Sequence, residues 1–454
     1  MRASEAAMTI EQRYIERHPE SARLYQRASK VLPSGVTHDS RFMRPFPIYA
    51  DRAAGAHKWD VDGHEHIDYV MGHGALLLGH NYPAVAEAAA AQLARGTHYG
   101  ASHELEIAWA EEVVRLVPSA EVVRFTSSGT EATLMALRLA RSFTGKSGVI
   151  KFDRHFHGWH DYVVASSKYA GSLPPGVPQA TLDSVAVLPL DMEAVRETVA
   201  SRGDVGAIIV ESAGASSGQL PVPHGFLHEL QAFCRAEAIL FIMDEVVTGF
   251  RWAPGGVQEV EGLQPDLTTL AKILAGGLPG GAVAGRRAVM ERLQFPAPGT
   301  KVPKIGHPGT FNANPLSSAA GVACLREIAD GSHQRRASEL SAQLRAGMNA
   351  VLCELGIPGY VYGQSSEFRI ILAGTTVPEA QDYDPRSLPF EFLAKGMPEH
   401  RTRLLQLAMV NRGSHLFGSG GMTSSVHTED DIARTVEAWR GALLDLRAEG
   451  ALSD

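Results

Sequence analysis

Short aliphatic and β-branched runs recur at Val122–Phe125, Val149–Phe152, Ala207–Val210 and Ile239–Met243, with helical patterning between several of them. Strands alternating with helices predict a mainly parallel sheet. After Thr130 the apolar positions Ala132, Met135, Ala136, Leu139, Ala140 and Phe143 return at steps of three and four. That spacing predicts an amphipathic helix whose small-residue face can pack tightly on the sheet. From about Leu325 the chain turns helix-rich over 326–355, strand-like over Glu367–Leu372, polar and proline-bearing from Gly374 to Arg401, and helical again from near Thr428. Thr428 suits an N-cap there, because Glu429, Asp430 and Asp431 place negative charge at the positive end of a helix. No internal repeat or low-complexity stretch interrupts this order.

A chain of 454 residues exceeds the usual size of one core. The expected fold class is α/β: a large, mainly parallel-sheet domain over 76–325 and a smaller α+β domain over 326–454. The segment 1–75 is expected to contribute to the small domain and the active site. A formal net charge of −8 with no basic run argues against a nucleic-acid or anionic-membrane partner and for a small molecule. Cys234, Cys324 and Cys353 have no metal-like spacing and are odd in number, which fits a reducing compartment without a disulfide framework. Met1–Glu20 is polar and charged, and no stretch is long and apolar enough to span a bilayer, so a soluble cytoplasmic protein is expected, with Met8 an alternative start.

The chemistry concentrates at strand ends. Asp244 closes one apolar run and Lys272 follows at the next predicted strand end. A lysine amine can form a Schiff base with pyridoxal phosphate, and a buried aspartate can keep the pyridine nitrogen protonated, so the pair points to that cofactor. Either residue alone is equally a surface lysine or an aspartate ending a core strand. Ser127-Ser128-Gly129-Thr130 lies between the Val122 run and the amphipathic helix, where free N–H groups and hydroxyls can hold a phosphate; alone, it also reads as a simple cap. Phe156-His157-Gly158 can set an aromatic ring against one face of a pyridine. Val246, on the side of Asp244 if the chain stays extended, suits the other face. Both are ordinary core residues in the alternative reading. His155, His157 and His160 lack helical pairing and a carboxylate at ligand spacing, so no metal is expected. Gly309–Pro315 reads as a loop with a helix after Pro315.

With Gly309-Thr310, these motifs resemble the class III aminotransferases of the fold type I pyridoxal phosphate superfamily. The order and spacing match over nearly the whole chain, from Trp59-Asp60-Val61-Asp62-Gly63 and Leu78-Gly79-His80 to His427-Thr428-Glu429. Within the class, the chain is similar to glutamate-1-semialdehyde aminomutases and to D-phenylglycine and β-phenylalanine aminotransferases. The resemblance implies Lys272 as Schiff-base lysine and proton shuttle and Asp244 as pyridine partner. It implies Ser128, Gly129 and Thr130 as phosphate cup, Phe156 as stacking ring beside His157, and a homodimer whose Thr310 reaches the phosphate of the neighbouring subunit. Glu211 matches the glutamate of a Glu-Pro motif, but Ser212 replaces the proline, which leaves the local backbone open.

Arg41 aligns with the arginine that holds the substrate carboxylate in the aminomutase, and a planar guanidinium suits that task; Arg44 is the alternative. His73 stands where the aminomutase has tryptophan and the D-phenylglycine enzyme histidine, as a substrate contact or a structural residue. The segment Gly413–His427 is shorter than the aminomutase pattern and lacks its gating glutamate. It also lacks the arginine that the β-phenylalanine enzyme carries there. These departures favour transfer of an amino group from a D-, β- or aromatic amino acid to a 2-oxo acid such as 2-oxoglutarate. Intramolecular amine transfer is the alternative, with racemisation or a non-catalytic binding role behind it. The binding role is disfavoured because Lys272 and Asp244 are retained and no helix-turn-helix extension is expected.

Overall fold

A computed structural model of the chain describes residues 8–169, 173–299, 303–373 and 384–452. The chain divides into two compact units, Pro83–Gln334 and a discontinuous unit of Met1–Tyr82 with Arg335–Asp454. The cuts fall after Tyr82 and Gln334, later than the expected ones after Ala75 and Leu325. At the first, Gly55 and His80 exchange backbone hydrogen bonds of 2.9 and 2.7 Å and keep this stretch with the discontinuous unit. At the second, the helix Pro315–Glu327 packs on Pro83–Leu93 and Glu104–Leu116 and so continues the larger unit past Leu325.

The larger unit holds a seven-stranded sheet in the order Val122–Thr126, Gly281–Gly285, Leu267–Ala271, Leu240–Glu245, Val205–Glu211, Gly148–Phe152, Val185–Leu188. Gly281–Gly285 is antiparallel to both neighbours, and the remaining pairs are parallel. The four predicted strands are present. Leu267–Ala271 supplies the strand end expected before Lys272 although Thr268 and Thr269 interrupt its apolar run, whereas Gly281–Gly285 escapes the pattern because small residues fill it; both are buried along their length. Buried strands need no alternation of polar and apolar positions. The amphipathic helix runs Gly129–Thr144; Ser128 Oγ accepts the Glu131 N–H at 3.2 Å, and Gly145 ends it at φ +70°.

The discontinuous unit carries a four-stranded sheet, ordered Ala50–Ala54, His57–Asp60, Glu65–Asp68, Ser414–His415. Its second sheet is antiparallel: Gly359–Tyr362, Glu367–Leu372, Gly420–Met422. Ile10, Tyr14, Tyr69, Leu344, Phe368 and Trp439 belong to one core. Thr428 caps Glu429–Ala448 as expected, in a capping box with Asp431. Of the polar stretch expected over Gly374–Arg401, residues 374–383 lie outside the described residues, and the remainder is not simply irregular. The helices Phe390–Lys395 and Glu399–Val410 lie in or begin within it, and the second buries Leu405, Leu407 and Ala408. Cys234 and Cys324 are buried and Cys353 is exposed, all as free thiols. Among the described residues no helix is long and apolar enough to cross a membrane.

Candidate active site

Five strands of the larger unit end along one edge of its sheet, and the expected chemical residues sit on or just past those ends. Ser128, Gly129 and Thr130 follow Val122–Thr126; Phe156 and His157 follow Gly148–Phe152; Glu211 ends its own strand, Asp244 is the penultimate residue of its strand, and Lys272 follows Leu267–Ala271. Open α/β sheets place ligands at this edge, where loops and helix starts leave polar groups free.

Asp244 and His157 are paired: His157 Nδ1 lies 2.7 Å from Asp244 Oδ2, and both side chains are buried. Burial pushes the His157 imidazole below its ordinary value while Asp244 pulls it back. The second carboxylate oxygen, Oδ1, accepts the Val246 N–H at 3.0 Å. That bond corrects one expectation: the strand stops at Glu245 and the chain turns, so Val246 does not share a side with Asp244 through extended backbone. Val246 instead lies against Gly129, where a Cβ would come within 2.9 Å of its Cγ1.

Glu211 is wrapped by backbone. Its Oε1 accepts the N–H of Phe156 at 2.5 Å and of Ser216 at 3.1 Å, and Oε2 accepts that of Ser217 at 3.1 Å. Burial still pushes its carboxyl up to about 8. Ser212, in the place of the expected proline, donates both its N–H and its hydroxyl to the Asp244 carbonyl, at 3.3 and 3.1 Å. A proline has neither donor, so this substitution extends the pairing of the two strands by one residue. Ser216 and Ser217 have φ of +50° and +58°, which sequence alone does not signal. The bracketing Gly214 and Gly218 are the available hint of a tight loop. His155, also missed as a support, accepts the Glu211 N–H on Nδ1 at 2.9 Å. His155, His157 and His160 do not converge; His160 Nε2 instead lies 3.2 Å from Thr133 Oγ1.

Lys272 is half-buried and holds φ +54°, a left-handed conformation that costs a non-glycine residue about 1–3 kcal/mol and tends to persist at functional sites. Thr130 meets Gly158 closely: at φ +98°, a Cβ on Gly158 would lie 2.6 Å from Thr130 Oγ1. Phe156 is 65% exposed, so its ring has a face to offer. Thr310 is also exposed, its carbonyl 2.6 Å from His98 Nε2.

Arg41 and His73 lie in the discontinuous unit and line one cavity of about 400 Å³, with Lys58, His415 and Phe417. Arg41 is exposed and donates to Thr37 Oγ1 at 2.9 Å. His73 stands in a run of positive φ from Met71 to Gly74; its ring stacks on His38 at 4.8 Å and its Nε2 lies 2.9 Å from Ser40 Oγ. Arg44 is not among the lining residues.

The larger unit fits pyridoxal phosphate on its own terms. A helix start with two hydroxyls suits a phosphate, a buried carboxylate suits a protonated ring nitrogen, and an amine stands at a neighbouring strand end. Glycines at 129 and 158 keep side-chain bulk out of the approach.

Comparison with known proteins gives the same direction. The family model for class-III aminotransferases matches residues 39–357. A glutamate-1-semialdehyde 2,1-aminomutase from Methanothermobacter thermautotrophicus is 42% identical over 362 residues, covering 79% of this chain and 84% of its own. The structure of an omega-transaminase from Sphaerobacter thermophilus superposes with a TM-score of 0.85 at 36% identity, over 95% of this chain and 99% of the other. A transaminase with pyridoxal phosphate bound gives 0.84 at 31% identity, with the same shares of 95% and 99%.

Proposed function

We propose that this chain, which belongs to the pyridoxal-phosphate-dependent class-III aminotransferases, moves an amino group from a D-, β- or aromatic amino acid to a separate 2-oxo acid and releases the first product. The observation that carries this reading is the segment Gly413–His427, which contains no aspartate or glutamate. It closes in a tight turn, with Phe417 and Gly420 bonded N–H to carbonyl at 2.8 Å. A loop so short, without an acid, offers little to retain a product that must be re-aminated on the same skeleton.

Bound pyridoxal phosphate supplies an electron sink for a carbanion at the substrate carbon. Lys272 would hold the cofactor covalently through Nζ and, once released, take the substrate proton and return it. Asp244, held by His157, keeps the ring nitrogen protonated. Ser128, Gly129 and Thr130 hold the phosphate at the helix start, and Phe156 covers one ring face while Val246 faces Gly129 beside the cup. Glu211 braces the Phe156 backbone and thus acts through it. Arg41 holds the substrate carboxylate, and His73 shapes the same cavity. The exposed Thr310 is available to a second copy, in a homodimer that shares its active sites.

Intramolecular transfer is the second reading, favoured by the aminomutase at 42% identity. Purified holoenzyme is offered glutamate, D-phenylglycine and β-phenylalanine singly, with released oxo acid assayed, and separately glutamate-1-semialdehyde, with 5-aminolevulinate assayed. Free oxo acid from any donor is the expected result. Formation of 5-aminolevulinate with no oxo acid from any donor overturns it in favour of the aminomutase.

A further inference from the structure

A second polar cluster lies in the discontinuous unit, where the break between the helices Ile10–Arg17 and Pro19–Ala28 meets the turn that joins His57–Asp60 to Glu65–Asp68. Three imidazoles face one carboxylate oxygen there. Asp60 Oδ2 lies 3.5 Å from His18 Nε2, 3.2 Å from His64 Nδ1 and 2.8 Å from His66 Nε2. The side chains of His18, Asp60 and His66 are fully buried, and that of His64 is one-quarter exposed.

A hydrogen-bond partner assigns the His18 tautomer. His18 Nδ1 lies 2.7 Å from the Tyr14 carbonyl, which can only accept, so that nitrogen carries the proton. With the proton on Nδ1, the His18 Nε2 turns its lone pair toward a carboxylate oxygen, buried and without a hydrogen bond. Two acceptors facing each other out of water repel unless a positive centre stands between them.

We propose that His18 Nε2, Asp60 Oδ2 and His64 bind one divalent first-row cation of zinc type, with His66 as the group that orients the carboxylate. The three ligand atoms lie within 4.8 Å of one another. Tetrahedral coordination with bonds of about 2.0–2.1 Å puts neighbouring ligands roughly 3.3 Å apart. The separations of 3.5 and 3.2 Å from Asp60 Oδ2 already match. The supporting contacts also have the form that metal sites use: a ligand imidazole donates its other N–H to a carbonyl, and a ligand carboxylate is itself hydrogen-bonded. Asp60 Oδ1 accepts the N–H groups of Asp62 and His64 at 3.0 and 2.8 Å. His64, the partly exposed member, gives an ion its path of entry. Two nitrogens and one oxygen select a borderline cation over calcium or magnesium.

The test uses tag-free holoenzyme dialysed against zinc(II) and then metal-free buffer, with zinc per chain measured in wild type and His64→Asn, and titration of each for affinity. Wild type is expected to retain one zinc per chain, with binding about tenfold or more weaker in the variant. Cobalt(II) added to the wild type gives an independent reading that needs no variant: visible bands of a low-coordinate N/O site are expected. Equal zinc retention by wild type and variant, or a cobalt spectrum that stays that of the hexaaqua ion, overturns the proposal.

Discussion

Asp244 and His157 form a buried pair, 2.7 Å between Oδ2 and Nδ1, that couples the ends of two strands separated in the sheet order by Val205–Glu211. The imidazole fixes the carboxylate's orientation. Asp244→Asn preserves shape and removes charge, so turnover is expected to fall by about 10²-fold or more while the protein stays folded. Steady-state rates alongside circular dichroism check this, and unchanged turnover would take Asp244 out of the proposed scheme.

Lys272→Ala should abolish turnover and leave the cofactor held only non-covalently. Borohydride treatment followed by mass measurement separates the two proteins: wild type gains a covalent cofactor adduct and the variant gains none. An adduct of equal yield in both would place the covalent link on another lysine.

The carboxyl of Glu211 provides a pH signature. Its ordinary value of 4.5 rises to about 8, with burial the main cause, opposed by the Phe156 N–H and reinforced by Asp244. Between those values the folded chain keeps a proton that the unfolded chain has released. The stabilisation is therefore complete below the ordinary value and is lost as pH rises through about 8. Melting temperatures taken from about pH 6 to 9 should fall more steeply for wild type than for Glu211→Gln. Parallel curves would show that the carboxyl is already ionised in the fold.

Replacing Arg41 separates binding from chemistry. A lysine there keeps the charge but loses the planar fork, so Arg41→Lys should raise the KM of a carboxylate donor by about 10-fold, with a smaller change in kcat. Arg44→Lys is the comparison. A KM effect confined to the Arg44 variant would exchange the two assignments.

His57 titrates in the same direction as Glu211 but through a cation. Its Nε2 lies 3.0 Å from Asp431 and its Nδ1 2.9 Å from Glu65, and the hydrogen bond to Asp431 is the main reason its pKa is raised above 6.5. This contribution is fully present below 6.5 and is lost as pH rises through the folded value. His57→Gln should lower the melting temperature at about pH 6 and converge with wild type in mild alkali. A constant difference across that range would rule out a titrating imidazolium.

The sequence was legible where local pattern and local geometry coincide. The four apolar runs, the helix after Thr130 and the Thr428 cap each depend on neighbours in the chain, and each is present. So too the strand-end positions of Asp244 and Lys272 follow from the order of runs. What stayed hidden depends on contacts distant in sequence or on backbone that departs from the extended form. The extended route from Asp244 to Val246 fails at the turn after Glu245, where Asp244 accepts the Val246 N–H. The Glu211 cradle needs two serines with left-handed backbone, a conformation that serine does not advertise. His18 and His66 are 48 positions apart by number, and no spacing rule joins them.

The division of the chain has a temporal side. Ile10 and Tyr14 are fully buried, and the contacts made by their helix include Asn411 Nδ2 donating to the Ile10 carbonyl at 3.0 Å and an Arg13–Asp445 ion pair at 2.9 Å. The stretch Pro83–Gln334, which carries every proposed cofactor residue, is made without interruption in between. During synthesis the cofactor-binding half is therefore complete while the opening helix still lacks the partners that cover it. The helix Ile10–Arg17 thus waits for residues made after Pro83–Gln334, and a chain truncated before Asp445 leaves Arg13 without that ion-pair partner.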